Sequence, residues 1–488
     1  MGADEVRLAI VGSGFAGLGM AVNLKRAGID DFAVLERADD VGGTWRDNTY
    51  PGCQCDVPST LYSFSFAPNP AWTHTYPLQG EIWAYLRRVA DEFGVTPHIR
   101  FDHPVVAAAW DQDSQRWALE TPHGTLRAQV LVLATGLLSE PAIPSPVGLE
   151  RFGATTFHSA AWDHKHELAG KRVAVIGTGA SAIQFVPKIQ PRVAQLQIYQ
   201  RTPPWIMPHP DRPTTRVERA VWNAMPRSQH ASRVAIWAAR ESLVLGLAIQ
   251  PRLMGALEAA ARAHLRAQIS DPDLRRRLTP RYRLGCKRML ISDDYYPALR
   301  ESNVELIEAG VQEIRPRSLL AGDGSEREVD TIIFATGFRV TTPPFAAFVR
   351  GRDGMLLADA WNRGMSAYLG TTIAGFPNAF MLVGPNTGLG HSSMIYMIES
   401  QIAYVMDALR TIDRAGAAAV DVRREVQAAY NDELQQRLAR TVWNAGGCRS
   451  WYLDASGRNT TLWPSFTFAF RERTRRFKPS DYVLSRPR

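Results

Sequence analysis

The stretch VRLAIVGSGFAGLGMAVNLKRAG, Val6 to Gly28, decides how the chain folds. A short apolar run gives way to a Gly-rich turn, and the turn opens into helical spacing. Gly12, Gly14 and Gly17 form GxGxxG. The first glycine permits a tight turn, the second lets the backbone approach a pyrophosphate, and the third lets the helix lie close to the strand. Phe15 and Ala16 open the helix, where main-chain N–H groups and the positive end of the helix dipole face an anion. One such motif is weak evidence. Here there are two. KRVAVIGTGASAIQFVPKI, Lys171 to Ile189, repeats the order of apolar run, turn and helix 165 residues later, counted from Gly12 to Gly177. It carries Gly177, Thr178, Gly179, Ala180, Ser181 and, at the third glycine position, Ala182. The fold expected is α/β with two Rossmann-like dinucleotide-binding domains.

The strand after each motif separates the two nucleotides. Glu36, in FAVLERADD, lies 24 residues after Gly12, where an acid accepts hydrogen bonds from a ribose diol, and Arg37 follows it. Arg201, in QLQIYQRTPP, lies 24 residues after Gly177, with Thr202 next. A cation there suits a 2′-phosphate. FAD and NADPH are therefore the expected pair. Each half closes on the same tripeptide, at LVLATG136 and TIIFATG337. Residues 1–150 are expected to form the first part of an FAD domain and 151–340 an NADPH domain. The latter is longer between its marks because of a helical, Arg- and Ala-rich insertion at about 213–277. Residues 341–488 return to the FAD domain, making it discontinuous, and supply a C-terminal substrate or lid segment. In AFMLVGPNTGLGHSSMIYMIES, Gly384 and Asn386 lie in a turn expected to face the flavin ring.

The bulk numbers exclude other classes. The 488 residues are 45% hydrophobic and 21% charged, as in a globular protein of several domains. MGADEVRLAI has no signal-peptide pattern, and the apolar stretch from Val234 to Gln250 is broken by Arg240, Glu241 and Ser242, so stable membrane insertion is not expected. The net charge of +8 is spread along the chain without a lysine tract or a nucleic-acid-binding motif. It suits a phosphate-bearing small molecule. Cys53, Cys55, Cys286 and Cys448 make no CxxC or zinc framework, which leads to the expectation of a reduced, cytoplasmic protein with no metal site.

Three further segments carry a resemblance. GGTWRDNTYPGCQCD (Gly42 to Asp56), FxxxxxHxxxWD (Phe152 to Asp163) and GCKRML (Gly285 to Leu290) occur in the order found in type I Baeyer–Villiger monooxygenases. The chain resembles that family from about Val6 to about Trp463. One departure is Ala154, where the family usually has Gly. The resemblance implies an FAD- and NADPH-dependent enzyme that uses O₂, through a flavin peroxide, to insert one oxygen beside a ketone carbonyl. It implies Arg288 as the cation that stabilises the reacting oxygens and Asp56 as its partner. It also implies that Thr44 and Trp45 lie near the flavin, that Lys287 joins Arg201 on the 2′-phosphate, and that His158 and Trp162 link domain motion to nicotinamide binding. Trp451 resembles a substrate-pocket or nicotinamide-lid position. Read without the resemblance, Asp56 is a loop acid, Arg288 a surface cation, and His158 and Trp162 a packed linker. Rival activities are N- or S-oxygenation and an NADPH oxidase or reductase reaction without oxygen insertion. Physiological substrate and oligomeric state are not legible.

Overall fold

A computed structural model describes residues 4–486, so the first residues of MGADEVRLAI lie outside it. Two sheets dominate, one mixed and one parallel, each built around one Gly-rich motif. In the first, the strand Asp4–Val11 lies between Phe32–Leu35 and Gly124–Leu133, all parallel, with Ile10 facing Val34 on one side and Val132 on the other. Ala107–Asp111 and Arg116–Thr121 extend this sheet antiparallel. The strand Ala379–Met381, from the C-terminal third, adds to Gly124–Leu133 in parallel. The sheet is thus completed by residues that follow the second motif, which makes the first domain discontinuous.

The second sheet is wholly parallel, in the order Val304–Ile307, Gln195–Tyr199, Arg172–Ile176, Thr331–Phe334, Thr155–His158. Its central strands are apolar on both faces, as expected when helices cover both sides. Val173, Ala174, Val175, Ile332 and Ile333 have no solvent exposure.

The insertion is helical: Arg216–Ala224, Pro226–Glu241, Met254–Gln268 and Pro272–Arg277. It leaves the second sheet's domain and reaches the first, where Arg233 donates to the carbonyls of Thr60, Leu61 and Ser63. Among the described residues no single helix is long and apolar enough to cross a membrane.

One expectation fails. Cys286 and Cys448 form a disulfide, with Cα atoms 6.1 Å apart. They are 162 residues apart in sequence, in no spacing that marks a pair, and only the folded chain brings them together. The chain therefore does have a disulfide, and its cysteine usage does not mark it as a reduced protein. Cys53 and Cys55 are free and buried, as expected of packing residues. Burial raises the Cys53 thiol to about 12 and pushes Cys55 well above its usual range.

Candidate active site

The two Gly-rich turns share one geometry. Gly12 has φ +103° and Gly177 φ +109°, a region costly for any other residue. A Cβ on Gly12 would lie 2.7 Å from the carbonyl oxygen of Ala134, and one on Gly177 2.5 Å from that of Ala335. Those alanines belong to the two ATG endings. A Cβ on Gly17 would collide with the Gly12 carbonyl at 1.8 Å, whereas the second-domain counterpart, Ala182, fits fully buried. Nothing lies within 4 Å of a Cβ on Gly179, so the backbone there is open to a phosphate. The helices Phe15–Arg26 and Ala180–Ile189 begin with no side chain capping their first N–H groups.

Glu36 is 4% exposed and sits at the end of its strand. It accepts from Ser13 N at 2.9 Å, Ser13 Oγ at 2.7 Å, Ala38 N at 3.1 Å and Arg46 Nη1 at 3.0 Å. Burial alone would raise its pKa. The Ser13 hydrogen bonds and the Arg46 charge more than offset this, so the carboxyl is held below its usual range. A ribose would share this carboxylate with Ser13 and Arg46. Arg37 is half exposed and pairs with Glu140. Thr44 Oγ1 donates to Leu138 at 3.3 Å.

Arg201 and Lys287, the cations expected at a second nucleotide, lie in one region of the structure. Lys287 has its pKa lowered by burial first and by the Arg201 charge second, which places the two side chains within each other's field. Neither has an acidic ion-pair partner among the described residues. Thr202 is exposed beside them. Two cations in one another's field, neither paired with an acid, suit a phosphate.

Asp56 and Arg288 meet although they are 232 residues apart. Arg288 Nε and Nη2 donate to Asp56 Oδ2 and Oδ1, both at 2.6 Å, and Nη1 reaches the Leu389 carbonyl at 3.4 Å. A guanidinium has five N–H donors, so two remain. Burial would neutralise both groups. Their mutual attraction wins, lowering Asp56 and raising Arg288, so both stay charged. The side chains are 25% and 30% exposed, which leaves the pair reachable.

Sequence reading missed the residues that frame this pair. Arg240 donates to the carbonyl of Asp56 and to that of His391, each at 3.2 Å. Glu241, beside it, meets His391 Nε2 at 3.1 Å and accepts from Thr467 N and Oγ1. The only signal was the charged break in the apolar run from Val234 to Gln250. Tyr452 is also absent from the sequence reading. It is 1% exposed, and its hydroxyl has no partner. Its neighbour Trp451, singled out from sequence, is 41% exposed.

The Gly384–His391 turn packs closely around this centre. A Cβ on Gly384 would lie 2.2 Å from the Gly370 carbonyl. Asn386, at φ +57°, donates to the carbonyls of Asn459 and Leu462, and its buried Oδ1 has no partner. Buried atoms of this kind fit a polar ligand such as a flavin ring.

The linker residues divide. His158 ends an edge strand, 2% exposed, with Nδ1 accepting from Ala160 N and Nε2 unpartnered. Burial holds its pKa below the usual value. Trp162 is partly buried and packs against the core of the second sheet's domain, beside Phe157 and Phe185. Trp45 packs against the hydrophobic cores of both domains. Ala154 is exposed and not among the residues with positive φ, so the backbone here does not require Gly.

The comparisons agree with this architecture. Residues 9–241 match the pyridine nucleotide-disulphide oxidoreductase family. A Baeyer–Villiger monooxygenase of Streptomyces coelicolor is 54% identical over 99% of this chain and 93% of its own length. One from Pseudomonas aeruginosa is 50% identical over 99% and 92%. Among solved structures, oxidised steroid monooxygenase bound to NADP is 30% identical with a TM-score of 0.86, covering 99% of both chains. Closed cyclohexanone monooxygenase gives 27% and 0.88, covering 99% of this chain and all of its own. With two dinucleotide turns and whole-length identity of this order, the chain belongs to the Baeyer–Villiger monooxygenases, flavoproteins that work with FAD, NADPH and O₂.

Proposed function

We propose that the substrate is a small ketone and that Arg288 is the residue that receives its carbonyl oxygen. The carrying observation is the two-point hydrogen-bonded contact between Arg288 and Asp56 at 2.6 Å. It fixes the guanidinium plane and leaves two N–H donors, and it keeps a full positive charge where an oxyanion must form. Asp56 is a positioning residue in this reading. It orients Arg288 and stays ionised.

Gly12, Gly14, Phe15, Ala16, Gly17, Glu36, Arg37, Thr44 and Trp45 are assigned to FAD, together with Gly384 and Asn386. Gly177, Thr178, Gly179, Ala180, Ser181, Arg201, Thr202 and Lys287 are assigned to NADPH. His158 and Trp162 are assigned to the linkage between the domains, and Trp451 to the substrate side. When bound, FAD accepts hydride from NADPH and activates O₂. The chain supplies the rest: glycine turns that admit phosphates, two cations that select a 2′-phosphate, and a fixed guanidinium that orients a carbonyl. The product is an ester or lactone.

Arg288→Ala tests this. Continued NADPH oxidation with hydrogen peroxide as product, and ester formation at least about a hundredfold down, is expected when a charged oxyanion donor is removed. Normal ester formation would refute the role. Products from ketone, amine and sulfide substrates distinguish oxygen insertion beside a carbonyl from N- or S-oxygenation.

A further inference from the structure

The insertion helix Pro226–Glu241 turns charged side chains inward beside Ile236 and Trp237 and leaves other apolar side chains exposed. A surface helix ordinarily sends its charges to solvent and its apolar stripe to the core. This one sends Arg233, Arg240 and Glu241 inward, to the contacts described above. Outward it shows Val234 and Ala238, and the stripe runs on through Leu245 and Ile249. Val234 and Leu245 are three helical turns apart and both 45% exposed, and Ile249 is 59% exposed. The chain then bends by 120° between Pro226–Ile249 and Pro251–Gln268. Leu253, 56% exposed, joins Leu245 and Ile249 at the apex of the bend. Six of the fourteen exposed large apolar side chains of the described residues fall in the insertion. So dense an apolar surface marks a contact site.

The charge around it identifies the partner. Between Glu218 and Glu258 the chain has one acid, Glu241, and it is buried. Arg227 stands exposed before the stripe and Arg252 at the bend. The outward face is therefore apolar, and the charges that its own exposed residues add are basic. A second copy would bring the same positive charges against itself, whereas an anionic bilayer complements both features. We propose that this face docks on an anionic phospholipid surface, lying in the interface with Leu245, Ile249 and Leu253 among the headgroups. This is a peripheral contact. The inward face of the same helix holds the Asp56 and His391 carbonyls, so docking would set the site over a phase in which apolar ketones concentrate. The docking itself does not depend on which reaction the site performs.

The test is flotation of the full-length, FAD-loaded protein with vesicles. One set is phosphatidylcholine and the other is phosphatidylcholine with phosphatidylglycerol. Binding is expected to the anionic set alone and to weaken at high salt. Ile249→Glu and Leu253→Glu should each weaken it by about tenfold or more, because a carboxylate replaces an inserted aliphatic group and meets like charge. Val483→Glu, at an exposed apolar position elsewhere, should leave binding unchanged. All three variants should keep turnover of a water-soluble ketone. The proposal is overturned if neither vesicle binds, if neutral vesicles bind equally well, or if gel filtration shows a dimer that Ile249→Glu dissociates.

Discussion

At the scale of single residues, two arginines brace the same two loops. Arg288 holds the side chain of Asp56 and the carbonyl of Leu389, while Arg240 holds the carbonyls of Asp56 and His391. Arg240→Met removes both of its charged hydrogen bonds and should cost roughly tenfold in ester formation, from about 1.5 kcal/mol of lost positioning. Arg240→Lys should recover part of it. A pH profile separates this from simple loosening. Burial raises the Asp56 pKa, and Arg288 first and Arg240 further down the order of causes bring it below the usual carboxylate value. A depressed folded pKa means that the Asp56 contribution is complete above the unfolded value of about 3.9 and is lost as pH falls through the folded one. The acid limb of ester formation should therefore move to higher pH in Arg240→Met. An unmoved limb would show that Arg240 does not act on Asp56.

At the scale of elements, the duplicated strand–turn–helix unit was legible because its causes are local. The tight turn at Gly12 and the clash a Cβ would meet at Gly17 both require the residues that form the motif. The equal offset of Glu36 and Arg201 was legible for the same reason. Arg201→Glu should cut the preference for NADPH over NADH by about tenfold or more, the worth of one charge-assisted hydrogen bond. Steady-state kinetics with both nucleotides would show this, and an unchanged ratio would remove the 2′-phosphate assignment. The Asp56–Arg288 pair was legible only through resemblance, since no local pattern joins residues 232 positions apart. Arg240 and Glu241 were visible only as a flaw in an apolar run. Their partners, the Asp56 carbonyl, His391 and Thr467, come from three other segments, and a main-chain carbonyl leaves no trace in sequence.

At the scale of the whole molecule, the disulfide joins parts that the chain order keeps far apart. Cys286 lies beside Lys287 and Arg288, and Cys448 lies three residues before Trp451. Around the bridge, Arg283 N donates to the Gly446 carbonyl at 2.9 Å, and a Cβ on Gly446 would lie 2.7 Å from that of Cys286. Leu284, Cys286, Trp443 and Tyr452 share one buried cluster. The loop that carries Arg288 is thus latched to the C-terminal segment by packing as well as by a bond. Closing so long a loop stabilises the folded state by on the order of 2–5 kcal/mol. Thiol alkylation should therefore find no reactive cysteine in the native protein, because Cys53 and Cys55 are buried with raised pKa values. Denaturation without reductant should release Cys53 and Cys55 alone, and reduction should add Cys286 and Cys448. Cys448→Ser should lower the melting temperature and leave the packed contacts to hold Arg288. Ester formation should then fall more steeply with temperature than in the parent, while flavin reduction by NADPH follows its ordinary course. If all four thiols react on denaturation without reductant, the bridge is not formed in solution, and the latch consists of packing alone.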